Sequence, residues 1–222
     1  MKIDLFRLLL TSLLLTVSAC VKAETVPLVT DTFDSVSNWS AIGAGTAKAT
    51  VTAEKTRNGS SMRIDFDFTQ GGGEVMVHKS VPMTLPENYA ITLKLKGKGA
   101  YPLELRLIDD SGKNVWRYSH PELSAPLDLQ PLRVKQHQFA FAWGPAEGGK
   151  PQKLGLIEFV IGRGAGGKGT LWIDDLKLEP RQPDQAYSGT PVITASGSFT
   201  GQDARNLLNE SSDTGWHSPP NR

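Results

Sequence analysis

A chain of 222 residues with 24 lysines and arginines against 23 aspartates and glutamates has a formal net charge of +1, so no global field draws it to nucleic acid or to an acidic surface. A single cysteine excludes a disulfide framework within the chain. The length suffices for one sandwich-sized domain plus a remainder, without covalent staples.

The first element is a targeting segment. Lys2 and Arg7 precede an apolar run over 8–17, followed by small residues, which is too short and wrongly flanked for a membrane span. Residues 1–23 therefore read as a secretory signal. Within it, Val17-Ser18-Ala19-Cys20 resembles the bacterial lipobox, and that resemblance implies lipidation of Cys20 at the mature N-terminus. Val21-Lys22-Ala23 offers the alternative of ordinary cleavage after Ala23. Both predict export, as an outer-membrane or cell-surface lipoprotein or as a secreted protein.

From residue 30 to 180 short runs of alternating apolar and polar residues are punctuated by Gly, Pro, Asn and Asp, with no long helical period, which predicts an all-β sandwich of two antiparallel sheets as a domain over 24–180. Strands are expected at 49–53, 61–66, 75–77, 90–95, 103–108, 115–119, 134–141, 155–161 and 170–178. Turns at Arg57-Asn58-Gly59, Gly97-Lys98-Gly99 and Asp110-Ser111-Gly112 supply the positive-φ residues that hairpins need. Residues 181–190 read as a polar, proline-bearing linker, and 191–222 are too few to hold a core of their own.

Two stretches invite a chemical reading. Gly162 to Lys168 nearly reproduces the spacing of a phosphate-binding loop, but Gly169 stands where the Mg²⁺-binding hydroxyl belongs and a strand-like run follows instead of a helix. A hairpin loop between the last two strands accounts for these glycines. Asp174 and Asp175 interrupt an otherwise apolar strand. In simple alternation one of them points inward and needs a partner such as a hard cation; a β-bulge that sends both to solvent is the alternative.

Thr32-Phe33-Asp34 with Asn38-Trp39, then residues 57–64, then Gly169-Thr170-Leu171-Trp172-Ile173-Asp174-Asp175-Leu176 together resemble galactose-binding-like β-sandwich domains, among them bacterial carbohydrate-binding modules. The resemblance spans about 30–180 and implies a jelly roll with a structural Ca²⁺. Carried onto this chain, its ligands would be the backbone carbonyls of Thr32 and of the turn near Gly59, with Asp174 by side chain and Asp34 as a weaker candidate. Residues 191–222 are similar to the opening of a discoidin (coagulation factor type C) domain, although Leu207-Leu208-Asn209-Glu210 departs from its loop and most of that domain does not follow.

The four histidines, His78, His120, His137 and His217, have no metal spacing, and Asp109-Asp110 sit on a turn rather than as a glycosidase pair, so no enzyme is expected. Sugar binding needs exposed rings flanked by hydrogen-bonding side chains. If the hairpin around Ser111 has a three-residue loop, Glu104, Arg106, Trp116 and Tyr118 share one face as such a platform. A two-residue loop shifts the register by one and turns both rings inward beside Leu105 and Leu107. Tyr89, Tyr101 and Trp143 are candidates for a rim, and Trp39 and Trp172 are assigned to the core. The expected function is thus a non-catalytic module, acting as a monomer, that holds an attached polysaccharide-degrading enzyme or the cell surface to a polysaccharide or oligosaccharide. A ligand-free spacer or protein-interaction sandwich of the same fold is the rival.

Overall fold

The computed structural model describes residues 26–57, 59–98, 101–120 and 128–182, with positions 189, 192–195, 197 and 204 beyond them. The chain divides into two compact units, Met1–Gln182 and Pro183–Arg222. The signal segment with Cys20, most of the linker and nearly all of the discoidin-like stretch lie outside the described residues.

Among the described residues, twelve strands form the first unit: β1 Val29–Asp31, β2 Ser40–Gly43, β3 Lys48–Thr56, β4 Gly59–Asp67, β5 Glu74–Thr84, β6 Tyr89–Lys98, β7 Leu103–Ile108, β8 Val115–His120, β9 Gln130–Lys135, β10 Ala140–Trp143, β11 Lys153–Gly162 and β12 Lys168–Pro180. They build a jelly-roll sandwich of two antiparallel sheets. The first sheet has the order β3-β4-β12-β6-β9, with β1 also paired to β12; the second runs β10-β8-β7-β11-β5-β2.

Alternation explains the layers. Met62, Ile64 and Phe66 on β4, Leu171 and Ile173 on β12, and Ile91, Leu93 and Leu95 on β6 meet Val75, Val77, Leu105, Leu107, Ile157 and Phe159 from the second sheet in one buried core. Trp39 belongs to this core as expected. Its indole N–H donates to Asp31 at 2.9 Å, and the same carboxylate accepts from the Lys79 ammonium at 2.8 Å and the Phe33 N–H at 2.9 Å. That buried carboxylate, satisfied three ways, ties β1 to the opposite sheet.

Three local expectations give way. The run 134–141 is not one strand: β9 lies in the first sheet, β10 in the second, and a single 3-10 turn, Gln136–Gln138, carries the chain between them. Apolar alternation continues across the turn because both flanking pieces bury residues in the shared core. The glycine-rich loop 163–167 is likewise no hairpin, since β11 and β12 belong to different sheets; Gly164, Gly166 and Gly167 take positive φ to make the crossing. Trp172 is not core. Leu171 and Ile173 are buried on either side of it, so strict alternation sends the indole to the outer face of the first sheet.

Candidate functional site

The β7–β8 hairpin decides which aromatic rings can meet a ligand. Its register pairs Ile108 with Val115, Leu107 with Trp116 and Leu105 with Tyr118. The loop has neither two nor three residues. Asp109 and Asn114 close it, the Gly112 N–H bonds the Asp109 carbonyl at 3.0 Å, and Gly112 takes φ 72°. Four residues therefore project beyond the closing pair, and an even loop has the parity of a two-residue one. Asp109 enforces it: its carboxylate accepts from the Ser111 hydroxyl, the Lys113 and Asn114 backbone N–H groups and the Asn114 amide, which together hold it below the ordinary carboxylate range despite its partial desolvation.

The outcome corrects the platform. Trp116 is 4% exposed, packs edge-on against Phe141 at 5.6 Å and donates its indole N–H to the Gly149 carbonyl at 2.7 Å. Tyr118 is half-buried against the core. Neither ring shares a face with Glu104 and Arg106, which point the other way. Among the rim candidates Tyr89 is fully buried, and Tyr101 packs edge-on to Phe66 with its hydroxyl donating to the Lys168 carbonyl at 3.0 Å. Trp143 is different: it is 47% exposed at the β10 edge of the second sheet.

Glu104 and Arg106 do sit in a built site on that outer face. Arg106, itself buried, has its guanidinium carbon 5.1 Å from the centre of the Trp143 ring. Three carboxylates surround it. Glu104 lies 2.7 Å from Nη2, Glu158 3.4 Å from Nη1, and Glu74 3.5 Å from Nη2. Arg117, opposite Arg106 on β8, reaches the second oxygen of Glu104 at 3.0 Å. Across β11, the His78 Nδ1 faces Glu158 at 3.9 Å, buried and without a hydrogen-bond partner. Burial raises the Glu158 carboxyl above its ordinary range, against the opposing pull of Arg106 and His78. Ile42 on β2 ends the row at the far edge.

The row crosses all six strands of this sheet, five steps of about 4.8 Å or ~24 Å in total, enough for an oligosaccharide laid across the strands. A ring at one end, with fixed donors and acceptors in the middle, suits hydroxyl-rich rings. Glu158 and Glu74 were not singled out in the sequence, and His78 was set aside there with the other histidines. Glu158 carried a usable signal, since it is a carboxylate inside the apolar run Leu156-Ile157-Glu158-Phe159-Val160, the same argument that drew attention to Asp174.

At the expected metal corner, the two aspartates leave the core together. Register shifts between Asp174 and Lys177, and Asp175 takes φ 54°, so a bulge puts both carboxylates outside between buried Ile173 and Leu176. Asp175 is held by Lys177 at 2.8 Å and Lys94 at 3.3 Å, which keep it ionised well into the acid range. The ladder brings Thr32, Gly59 and Asp174 near the middle of β12, where pairing along one edge passes from β4 to β1, because Met62 pairs with Ile173 and Asp31 with Leu176. Asp34, however, accepts from Ser60 at 2.8 Å and from the Lys55 ammonium at 3.4 Å. Ammonium groups thus neutralise two of the carboxylates nearby, and a Ca²⁺ here would draw on Asp174 and the carbonyls of Thr32 and Gly59. Among the described residues no group of three or more acidic, His or Cys side chains is arranged to hold a metal ion.

No family model and no curated protein matches the chain. Solved structures do. A family 11 carbohydrate-binding module of a cellulosomal cellulase from Clostridium thermocellum superposes with a TM-score of 0.57 at 17% identity, covering 73% of this chain and 98% of the module. The family 11 module from the same organism in complex with a β-1,3-1,4-mixed-linked tetrasaccharide gives 0.55 at 17% identity, over 68% and 93%. An exo-β-agarase gives 0.52 at 14% identity, over 72% of this chain and 26% of that one. The chain has the fold of a carbohydrate-binding module. At these identities the likeness establishes architecture, and function has to be argued from the face itself.

Proposed function

We propose that the chain is a non-catalytic carbohydrate-binding module that takes glycan across the outer face of its second sheet. The observation that carries this reading is the exposed Trp143 ring, braced by Arg106 at the head of a row of carboxylates and arginines, on a fold shared with a module solved with a bound tetrasaccharide. Trp143 would stack on a pyranose face, while Glu104, Arg117, Glu74 and His78 hydrogen-bond hydroxyls in the ring plane. Three carboxylates around two arginines leave the row without excess positive charge, which favours an uncharged glycan. Glu158 stands between Arg106 and His78, its cross-strand neighbours, and positions them rather than reaching a scissile bond.

The wider reading includes export, lipidation of Cys20 and the tethering of an attached polysaccharide-degrading enzyme or of the cell to its glycan. Mass spectrometry of the mature protein tests the anchor: an unmodified N-terminus at Glu24 removes it. A structural Ca²⁺ held by Asp174, Thr32 and Gly59 belongs to the same reading. The decisive experiment is retention of the chain on neutral plant and algal polysaccharides, mixed-linked β-glucan included, with Trp143→Ala as the paired variant. The ligand-free spacer draws support from one observation, the buried Trp116. Absence of retention on every neutral polysaccharide would favour it.

A further inference from the structure

We infer that the outer face of the first sheet, centred on Trp172, is a second glycan-binding surface, and that it takes an anionic polysaccharide through Lys96.

The cross-strand neighbours of Trp172 are Arg63 on β4 and Lys96 on β6. Both lie against the indole, the guanidinium carbon 5.6 Å and the ammonium 5.0 Å from the ring centre. The Trp172 N–H donates to Glu54 at 3.1 Å, which anchors the ring. Arg63 is also fixed. It reaches Asp65 at 2.8 Å and Glu54 at 2.9 Å, and these carboxylates neutralise it. Lys96 has no such partner among the described residues, and the ring is its one electrostatic contact. An ammonium resting on a π-face is less well compensated than one on a carboxylate.

The surroundings fit a negatively charged chain. β6 and β9, adjacent in the sheet, contribute Lys94, Lys96, Arg133 and Lys135 and no acidic residue among their described side chains; Lys94 is paired with Asp175 of β12 at 3.3 Å, and Arg133 and Lys135 extend the basic surface beyond Lys96. On the other side of Trp172 a depression of about 400 Å³ is lined by Lys48, Thr50, Asp65, Lys168 and Thr170, side chains able to bond hydroxyls. An anionic substituent arriving over β6 offers Lys96 a full charge. The flexible lysine turns to it and uncovers the indole face, on which the sugar ring then stacks. Carboxylates of uronates and sulfate esters share this chemistry. The site is independent of the neutral-glycan row, which lies on the opposite sheet and is walled by glutamates.

Affinity electrophoresis of the full chain through gels containing polygalacturonate, or separately a sulfated galactan, tests the proposal. Retardation is expected in at least one gel at low salt. It should fall at least tenfold in Lys96→Glu and in Trp172→Ala, and weaken as ionic strength rises. Trp143→Ala should leave it unchanged, which separates this site from the neutral-glycan reading. The gel that retards tells uronate from sulfate. Lys96→Gln, a surface change that keeps the fold, covers the case in which Trp172→Ala does not fold. No retardation by either polymer, retention of full retardation in Lys96→Gln, or its loss in Trp143→Ala would overturn the proposal.

Discussion

The two outer faces of the sandwich each hold one tryptophan and its cations, and they spend their charge differently. On the second sheet Arg106 is ringed by Glu74, Glu104 and Glu158 and serves as a rigid brace under Trp143. On the first sheet Arg63 is neutralised but Lys96 is not, and the ring of Trp172 lies between them. A saturated arginine presents fixed donors and acceptors to hydroxyls. An unsaturated lysine awaits an anion. The difference comes from the strands that share each face: β7, β11 and β5 surround Arg106 with glutamates, whereas on the other face the carboxylates lie on β3 and β4 beside Arg63 and β6 offers none to Lys96.

The largest expected effect breaks the comparison at its root, the parity of the β7–β8 hairpin. Emptying a core tryptophan site costs roughly 3–5 kcal/mol, and in a domain of this size each kcal/mol lowers the melting temperature by about 2–4 °C. Trp116→Ala should therefore melt well below the parent in calorimetry. An unchanged melting temperature with lost polysaccharide retention would instead restore Trp116 to an outer face and dissolve the distinction between brace and platform.

Next in size is removal of Ca²⁺, which concerns the corner where the first sheet meets its own lysines. A ligand bound by the folded state alone, at a hundred times its Kd, stabilises by about 2.7 kcal/mol. Excess EDTA should lower the melting temperature if Asp174, Thr32 and Gly59 hold the ion. If Lys55, Lys94 and Lys177 already supply all the positive charge this corner uses, the melting curve of metal-loaded protein will not move with chelator. Trp143→Ala ranks third. Its ring is on the surface, where substitutions change stability by about 0.5 kcal/mol, yet a tenfold loss of retention on the retained neutral glycan, about 1.4 kcal/mol, is expected. Equal retention would empty the second face of its ring.

Much of this was legible in the residues, and the failures share a cause. Period-two alternation located eight of the strands and the sandwich class, because core and solvent impose it directly, while β9 and β10 were read as one run. β1 and β2, three and four residues at the margins, are too short to show a period. Facing was harder than existence. The orientation of Trp116 hung on whether a loop was odd or even, which depended on how many backbone N–H groups Asp109 could gather. Trp172 was misassigned because its size outweighed its position, although Leu171 and Ile173 on either side had already fixed its parity. Charge partners from distant strands, such as Glu158 with Arg106 and His78, are set by sheet order, and no local pattern reports that order.

The smallest effect is the most specific to the braced face. Glu158 has its pKa raised in the folded protein, chiefly by burial, above the unfolded value near 4.5. The folded state therefore binds more protons than the unfolded one over the window from about 4.5 up to the raised value. Stability associated with this group is present below the unfolded pKa and is lost as pH rises through the folded one. Glu158→Gln keeps the shape and a hydrogen-bond acceptor for Arg106 but cannot ionise. Its melting temperature relative to the parent should accordingly be more favourable at pH 7 than at pH 4, with Glu74 and Glu104 still left to balance Arg106. A relative melting temperature that instead improves on acidification would mean that Arg106 outweighs burial at this site. Glu158 would then be one more carboxylate of the ion network, and the face would set three charged glutamates against two arginines.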